Sequence, residues 1–153
     1  MNVVLVDTNV LIYLHDDAAP VKQRRAARLL GSLASDGGGR LCAQVLGEYL
    51  SVVMRKFRHV VDPPSAQRQA EKFSELFTVH HTTVEVVLEA ARGVQLHGFS
   101  YYDAQIWAVA KLNGIPLVYS EDFTHGREVE GVRFENPFID LDERDACACE
   151  PES

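Results

Sequence analysis

The sequence predicts an α/β fold built on a mostly parallel sheet, and three observations carry that expectation. A continuous apolar run, "VVLV" from Val3 to Val6, stops at Asp7, as a short strand buried on both faces does when it reaches the edge of its sheet. Strand-like runs then alternate with segments of helical period along the chain. Acidic residues recur where strands end or the next helix begins, and that is the edge at which open parallel sheets bind ligands.

The elements follow in order. After the first strand, "TNVLIYLH" reads as a short helix. "PVKQRRAARLLGSLAS" has Pro20 at a first helical position, apolar residues at helical spacing and a "DGGG" stop. "RLCAQ" is the second strand, and "VLGEYLSVVMRKF", from Val45 to about Phe57, is a helix despite Gly47. "DPPSAQRQAEKFSELF" opens a further helix on two prolines, "TVHHTT" is a third strand, and "VEVVLEAARGVQLHG" is again helical. "SYYDAQIWAVAKLNG" is the clearest helix, with Gly114 as its C-cap. "IPLVYSED" supplies a fourth strand and "GVRFENP" a fifth. The expected organisation is one domain over residues 1–139 and an acidic, disordered tail over 140–153.

Composition narrows the class. A chain of 153 residues fits one domain, and an apolar fraction of 46% suffices for one core. No stretch approaches the roughly 18 apolar residues of a membrane span, and no basic leader with a long apolar core is visible, so a cytoplasmic location is expected. Cys42 reads as a small buried thiol, and Cys147 and Cys149 lack the partners a zinc site needs. The six histidines show no ligand spacing and are expected at the surface or partly buried. The net charge of −7 does not exclude a nucleic-acid partner, because the segment from Asp140 carries −5 of it and leaves −2 on the body.

Four acids stand out on this outline: Asp7 after the first strand, Glu48 in the first turn or so of the helix after the second, Asp103 in the first turn of its helix, and Asp122 after the fourth strand. Each has a structural explanation. Asp7 would cap a helix, Asp103 forms a near capping box with Ser100, Asp122 suits a turn, and Glu48 complements a helix dipole by about 0.3–1 kcal/mol. Taken together they point to chemistry. Carboxylates gathered at one edge repel each other unless a cation or protons neutralise them, and oxygen-only ligands suit Mg²⁺ or Mn²⁺. Asp103 joins the set only if the N-terminus of its helix packs at that same edge.

"VDTNVLI", "QVLGEYLSVV", "SYYDAQIWAVA" and "LVYSEDFTHG" resemble, in order, the four motifs of PIN-domain ribonucleases, and most of all the VapC-type toxins of bacterial toxin–antitoxin pairs. The likeness runs from about Val3 to Pro137. It implies a PIN-like three-layer α/β/α sandwich and a metal-dependent endoribonuclease that uses Mg²⁺ or Mn²⁺. The implied acidic set is Asp7, Glu48, Asp103 and Asp122, with Asp7, Asp103 and Asp122 as metal ligands. Thr8 and Asn9 match the small polar residues after the first acid, and Ser120 the hydroxyl before the last. Where many relatives carry a further acid this chain has Thr124, which leaves one metal or two open. Glu121 is expected to point elsewhere. The resemblance also implies a cognate antitoxin and a homodimer.

Substrate contacts are read more broadly. Arg55, Lys56 and Arg58, with His59, form a solvated helix end, a phosphate track or a clamp for an antitoxin's acidic segment. Arg24, Arg25 and Arg28 are similar. Tyr101 and Tyr102 would flank the site and stack on a base, or pack in the core, and Trp107 reads as core. A haloacid-dehalogenase-type phosphatase would want an acid where Asn9 stands, and a receiver domain an early acidic pair and a late lysine. A catalytically inactive module binding RNA or a partner is the remaining rival.

Overall fold

The computed structural model describes residues 2–141, so Cys147, Cys149 and the expected tail beyond Leu141 lie outside the described residues. Six strands form one sheet in the order β3-β2-β1-β4-β6-β5. At its centre β1 (Val4–Val6) runs parallel to β2 (Gly39–Cys42) and β4 (Leu117–Tyr119). Beyond these lie β3 (Thr78–His80) and β6 (Val132–Glu135), also parallel, while β5 (Glu128–Val129) pairs antiparallel with β6. All three residues of β1 are buried, so both faces of the sheet are covered, as a continuous apolar strand requires. The fold is α/β, with a mostly parallel sheet flanked by helices.

Six helices complete it: α1 (Thr8–Ile12), which runs into a 3₁₀ turn over Tyr13–His15, α2 (Pro20–Asp36), α3 (Ala43–Lys56), α4 (Pro63–Leu76), α5 (Val84–His97) and α6 (Tyr101–Leu112). Proline opens α2 and α4, where its missing N–H costs nothing. Asp62 caps α4 through the Ser65 N–H, and Thr83 caps α5 through that of Val86. From Ala104 to Ala110 every residue of α6 is buried, so this helix is covered all round. Its tightest neighbour is α5, where a Cβ added to Gly93 would meet the Trp107 ring at 2.7 Å. Trp107 is fully buried, as expected, and donates its indole N–H to the Val129 carbonyl at 3.1 Å.

The structure moves several boundaries. The second strand stops at Cys42, and Ala43 and Gln44 already belong to α3, which places Glu48 in the second turn rather than the first. Cys42 stands at the N-cap without a capping bond, so no side chain marked that start. Asn113 closes α6, and Gly114 follows it in the left-handed region. The hairpin of β5 and β6 was not expected. Its turn residues Glu130 (φ 48°) and Gly131 (φ 86°) both have positive φ, the two-residue geometry that matches strand twist, and a glutamate there gives no turn signal. Cys42 is buried, and of the histidines only His15, His80 and His97 are partly covered.

Candidate active site

Three strand ends lie level at one edge of the sheet, because β1, β2 and β4 pair in parallel register and the Asp7 N–H donates to the Tyr119 carbonyl. Asp7 leaves that edge with one carboxylate oxygen accepting the Thr8 N–H at 2.7 Å and the other accepting the Ser120 hydroxyl at 2.7 Å. It therefore caps α1 and also faces the segment after β4. At 5% exposure its carboxyl is almost wholly out of water. Burial pushes its pKa up to about 6; the Ser120 and Thr8 hydrogen bonds oppose that rise, and the charges of Asp122 and Glu48 add to it.

Asn9 ties the other side of the site together. Its amide nitrogen donates to Ser120 Oγ at 3.3 Å and to Asp122 Oδ2 at 3.2 Å, and its oxygen accepts the Glu121 N–H at 3.3 Å. Ser120, fully buried, also accepts the Asp122 N–H. One short helix thus fixes the whole turn that follows β4.

Glu48 reaches the same edge from α3. Its Oε2 accepts the Thr8 hydroxyl at 2.8 Å and its Oε1 the Gln44 amide at 2.9 Å. Asp103 comes from the first turn of α6, half-buried, three residues after the N-cap Ser100. Burial raises its pKa, Ser100 opposes, and Asp122 and Glu48 again add to the rise. Asp122 and Glu48 act on both Asp7 and Asp103, and the Gln44 amide of α3 reaches the Tyr102 carbonyl at 3.4 Å, so the start of α6 lies beside α3.

As positioned, no three carboxylate, imidazole or thiol groups among the described residues stand close enough to hold an ion. Hydroxyls, amides and backbone N–H groups hold the carboxylates instead. The chemistry of the donor set still fits a hard divalent cation: every donor is an oxygen, and the charges that shift Asp7 and Asp103 are negative.

Glu121 points away, as expected, accepting from the Tyr13 hydroxyl at 2.6 Å and from Lys22 at 2.7 Å. Thr124 is exposed. Tyr102 is 64% and Tyr101 36% exposed, in edge-to-face contact at 5.3 Å, so neither is a core residue. Arg55 and Lys56 are exposed in the last turn of α3 and Arg58 is exposed just beyond it, with Arg55 about 10 Å along the helix axis from Glu48. Arg25 donates to the Pro137 carbonyl. Sequence reasoning missed Gln44, Gln105, Lys22 and Tyr13. The visible clue was Gln105, a lone amide inside the apolar run "AQIWAVA".

An acid-lined edge on a parallel α/β sheet defines the class of protein. The PIN-domain model matches residues 4–127, and the chain belongs to the PIN domain family. Solved structures similar in fold include VapC20 of Mycobacterium tuberculosis, described as a Sarcin-Ricin loop cleaving toxin: 24% identity, TM-score 0.63, covering 78% of this chain and 89% of that one. A toxin–antitoxin complex from Klebsiella pneumoniae matches with TM-score 0.67 at 19% identity, over 88% of this chain and 98% of that one. FitAcB from Neisseria gonorrhoeae matches with TM-score 0.59 at 21% identity, over 89% and 99%. No curated protein sequence matches significantly.

Proposed function

We propose that the chain is a metal-dependent endoribonuclease and the toxin of a type II toxin–antitoxin pair, acting in the cytoplasm. The observation that carries this is the position of Asp7: a carboxyl buried to 5% exposure, with its pKa lifted to about 6 and two further carboxylates adding to the rise. Folding alone has no use for such an arrangement, since a buried charge that is not neutralised is costly. Capping α1 requires only one of the four acids. The descriptions of VapC20 as a Sarcin-Ricin loop cleaving toxin and of the Klebsiella structure as a toxin–antitoxin complex support the same reading, including a cognate antitoxin. A homodimer is part of the proposal.

Asp7, Asp103 and Asp122 would hold Mg²⁺ or Mn²⁺. When bound, such an ion supplies Lewis acidity toward a phosphoryl oxygen and acidifies water. The protein's own groups do the rest. Glu48 orients the attacking water and accepts its proton as the oxygen adds to phosphorus and the bond to the leaving ribose oxygen breaks. Ser120, Asn9 and Thr8 keep the carboxylates in place. Tyr102 stacks on a base beside the scissile bond, and Arg55, Lys56 and Arg58 receive more distant phosphates.

The test is cleavage of a mixed RNA panel by purified protein, freed of any co-purifying partner, in Mg²⁺, Mn²⁺ or EDTA beside Asp103→Asn. Metal-dependent cutting that is lost in the variant is the expected outcome. RNA binding without metal binding or cutting would favour the inactive binding module.

A further inference from the structure

We infer that Gln44 and Gln105 form a positioning relay for Glu48, so that the amide on α3 and the amide on α6 together set the orientation of that carboxylate. This rests on the nuclease reading above.

The relay starts from an anomaly in α6. Between Ala104 and Ala110 this helix buries every residue, and Gln105 is its only polar side chain there, at 6% exposure. A buried amide costs about 1–3 kcal/mol unless it is hydrogen-bonded, whereas leucine or methionine would fill similar space without that cost. The Gln105 amide nitrogen donates to Gln44 Oε1 at 2.7 Å. Gln44 Nε2 also reaches the Tyr102 carbonyl at 3.4 Å, so two acceptors face its nitrogen and one donor its oxygen. With its oxygen held by Gln105, Gln44 presents nitrogen to Glu48 Oε1 at 2.9 Å. Rotated by half a turn, the amide would set oxygen against carboxylate and nitrogen against nitrogen, so both neighbours select the same orientation.

Thr8 completes the grip from α1 by donating to Glu48 Oε2 at 2.8 Å. Each carboxylate oxygen of Glu48 then has one donor, one from α1 and one from its own helix, the latter held in turn from α6. A residue that orients a water needs that restraint, because small errors in the position of a reacting group cost large factors in rate. Gln44 and Gln105 touch neither water nor phosphate in this scheme. They are positioning residues that act through Glu48, in the way that outer hydrogen-bond partners orient the groups they touch.

The test compares wild type, Gln44→Ala, Gln105→Met, the double variant and Glu48→Gln, with Asp103→Asn as control. Three readouts are used: RNA cleavage kinetics per folded molecule, Mn²⁺ affinity by electron paramagnetic resonance without RNA, and melting temperature. Gln44→Ala is expected to lower kcat about 10- to 100-fold and leave KM and the Mn²⁺ dissociation constant within twofold, whereas Glu48→Gln, which removes a charge, lowers kcat and weakens Mn²⁺ binding as well. Gln105→Met lowers kcat by a smaller factor and adds nothing once Gln44 is alanine. Wild-type kcat in Gln44→Ala, or a kcat loss matched by an equal loss of Mn²⁺ affinity, would overturn the relay while leaving the nuclease standing if Glu48→Gln is impaired. A wild-type protein that neither cuts RNA nor binds Mn²⁺, or an Asp103→Asn variant that cuts normally, would overturn the nuclease reading and the relay with it.

Discussion

The Ser120 hydroxyl donates to Asp7 Oδ2 at 2.7 Å across 113 positions of sequence, and the same oxygen of Ser120 accepts the Asn9 amide and the Asp122 N–H. One buried atom thus joins the end of β1, the first turn of α1 and the turn after β4. Replacing Ser120 by alanine strands three partners, and an unsatisfied buried group costs about 1–3 kcal/mol. Urea unfolding should show a loss of that size, and RNA cleavage should fall as Asp7 and Asp122 lose their common anchor. An unchanged unfolding midpoint would mean that the hydroxyl does not hold the turn.

The buried Asp7 sets a pH dependence with a definite sign. Its folded pKa of about 6 lies above the ordinary 3.8, so the stability it contributes is complete below about pH 4 and is lost as pH rises toward 6. In EDTA at pH 7.5, Asp7→Asn should therefore be more stable than wild type by roughly 2–3 kcal/mol, with the gain gone near pH 3.5. Thermal melts of both proteins across that range measure it. The same variant should be inactive on RNA. Equal melting temperatures at every pH would show that Asp7 is not held in a state that resists ionisation.

Divalent metal should relieve that same strain. At a hundredfold excess over its dissociation constant, a ligand that binds only the folded state adds about 2.7 kcal/mol. Mg²⁺ or Mn²⁺ should then raise the wild-type melting temperature by about 5–10 °C, and EDTA should reverse the rise. Asp7→Asn and Asp103→Asn should show little or no rise. A shift of equal size in all three proteins would place the ion somewhere other than this edge.

Tyr102 is exposed immediately before Asp103 and faces water with most of its ring. Base stacking on such a side chain contributes about 1–3 kcal/mol. Tyr102→Ala should lower kcat/KM for RNA about 5- to 100-fold while leaving hydrolysis of a small aryl phosphodiester unchanged, and Tyr102→Trp should retain RNA cleavage. Equal losses on both substrates would remove the stacking role.

Gly93 offers a test away from the site. Alanine there would gain about 1 kcal/mol of helix propensity, but its Cβ would fall 2.7 Å from the Trp107 ring. Overpacking costs about 1–3 kcal/mol, and Trp107 cannot retreat without breaking its bond to the Val129 carbonyl. Net destabilisation is therefore expected, with cleavage per folded molecule unchanged, as read from a melting curve beside single-turnover kinetics.

Most of the fold was legible because its signals are local. The run Val3 to Val6, the prolines that open α2 and α4, and the glycines after α2 and α5 each declare a boundary within a few residues. Boundaries without such chemistry went astray. Cys42 has no capping bond, so the start of α3 was placed two residues late, and Glu130 occupies a turn position normally marked by asparagine or glycine, so β5 was missed. In the site, acids that end strands could be placed from sequence. Gln44 could not be tied to Gln105, 61 positions away, because neither residue type announces a partner and the pairing depends on how α3 meets α6. The loose spacing of the carboxylates and the position of Tyr102 at the surface likewise depend on packing rather than on pattern.

The central place of β1 has a consequence for the order in which the molecule is made. β1 stands at Val4–Val6, yet one of its two neighbours, β4, begins only at Leu117, and Ser120 and Asp122 follow it. A nascent or truncated chain that ends before Leu117 leaves one side of its middle strand unpaired and lacks half of the contacts to Asp7. It has neither a finished sheet nor a finished pocket. If the pocket cuts RNA, the chain is harmless to the transcript and ribosome producing it until the segment through Asp122 has emerged.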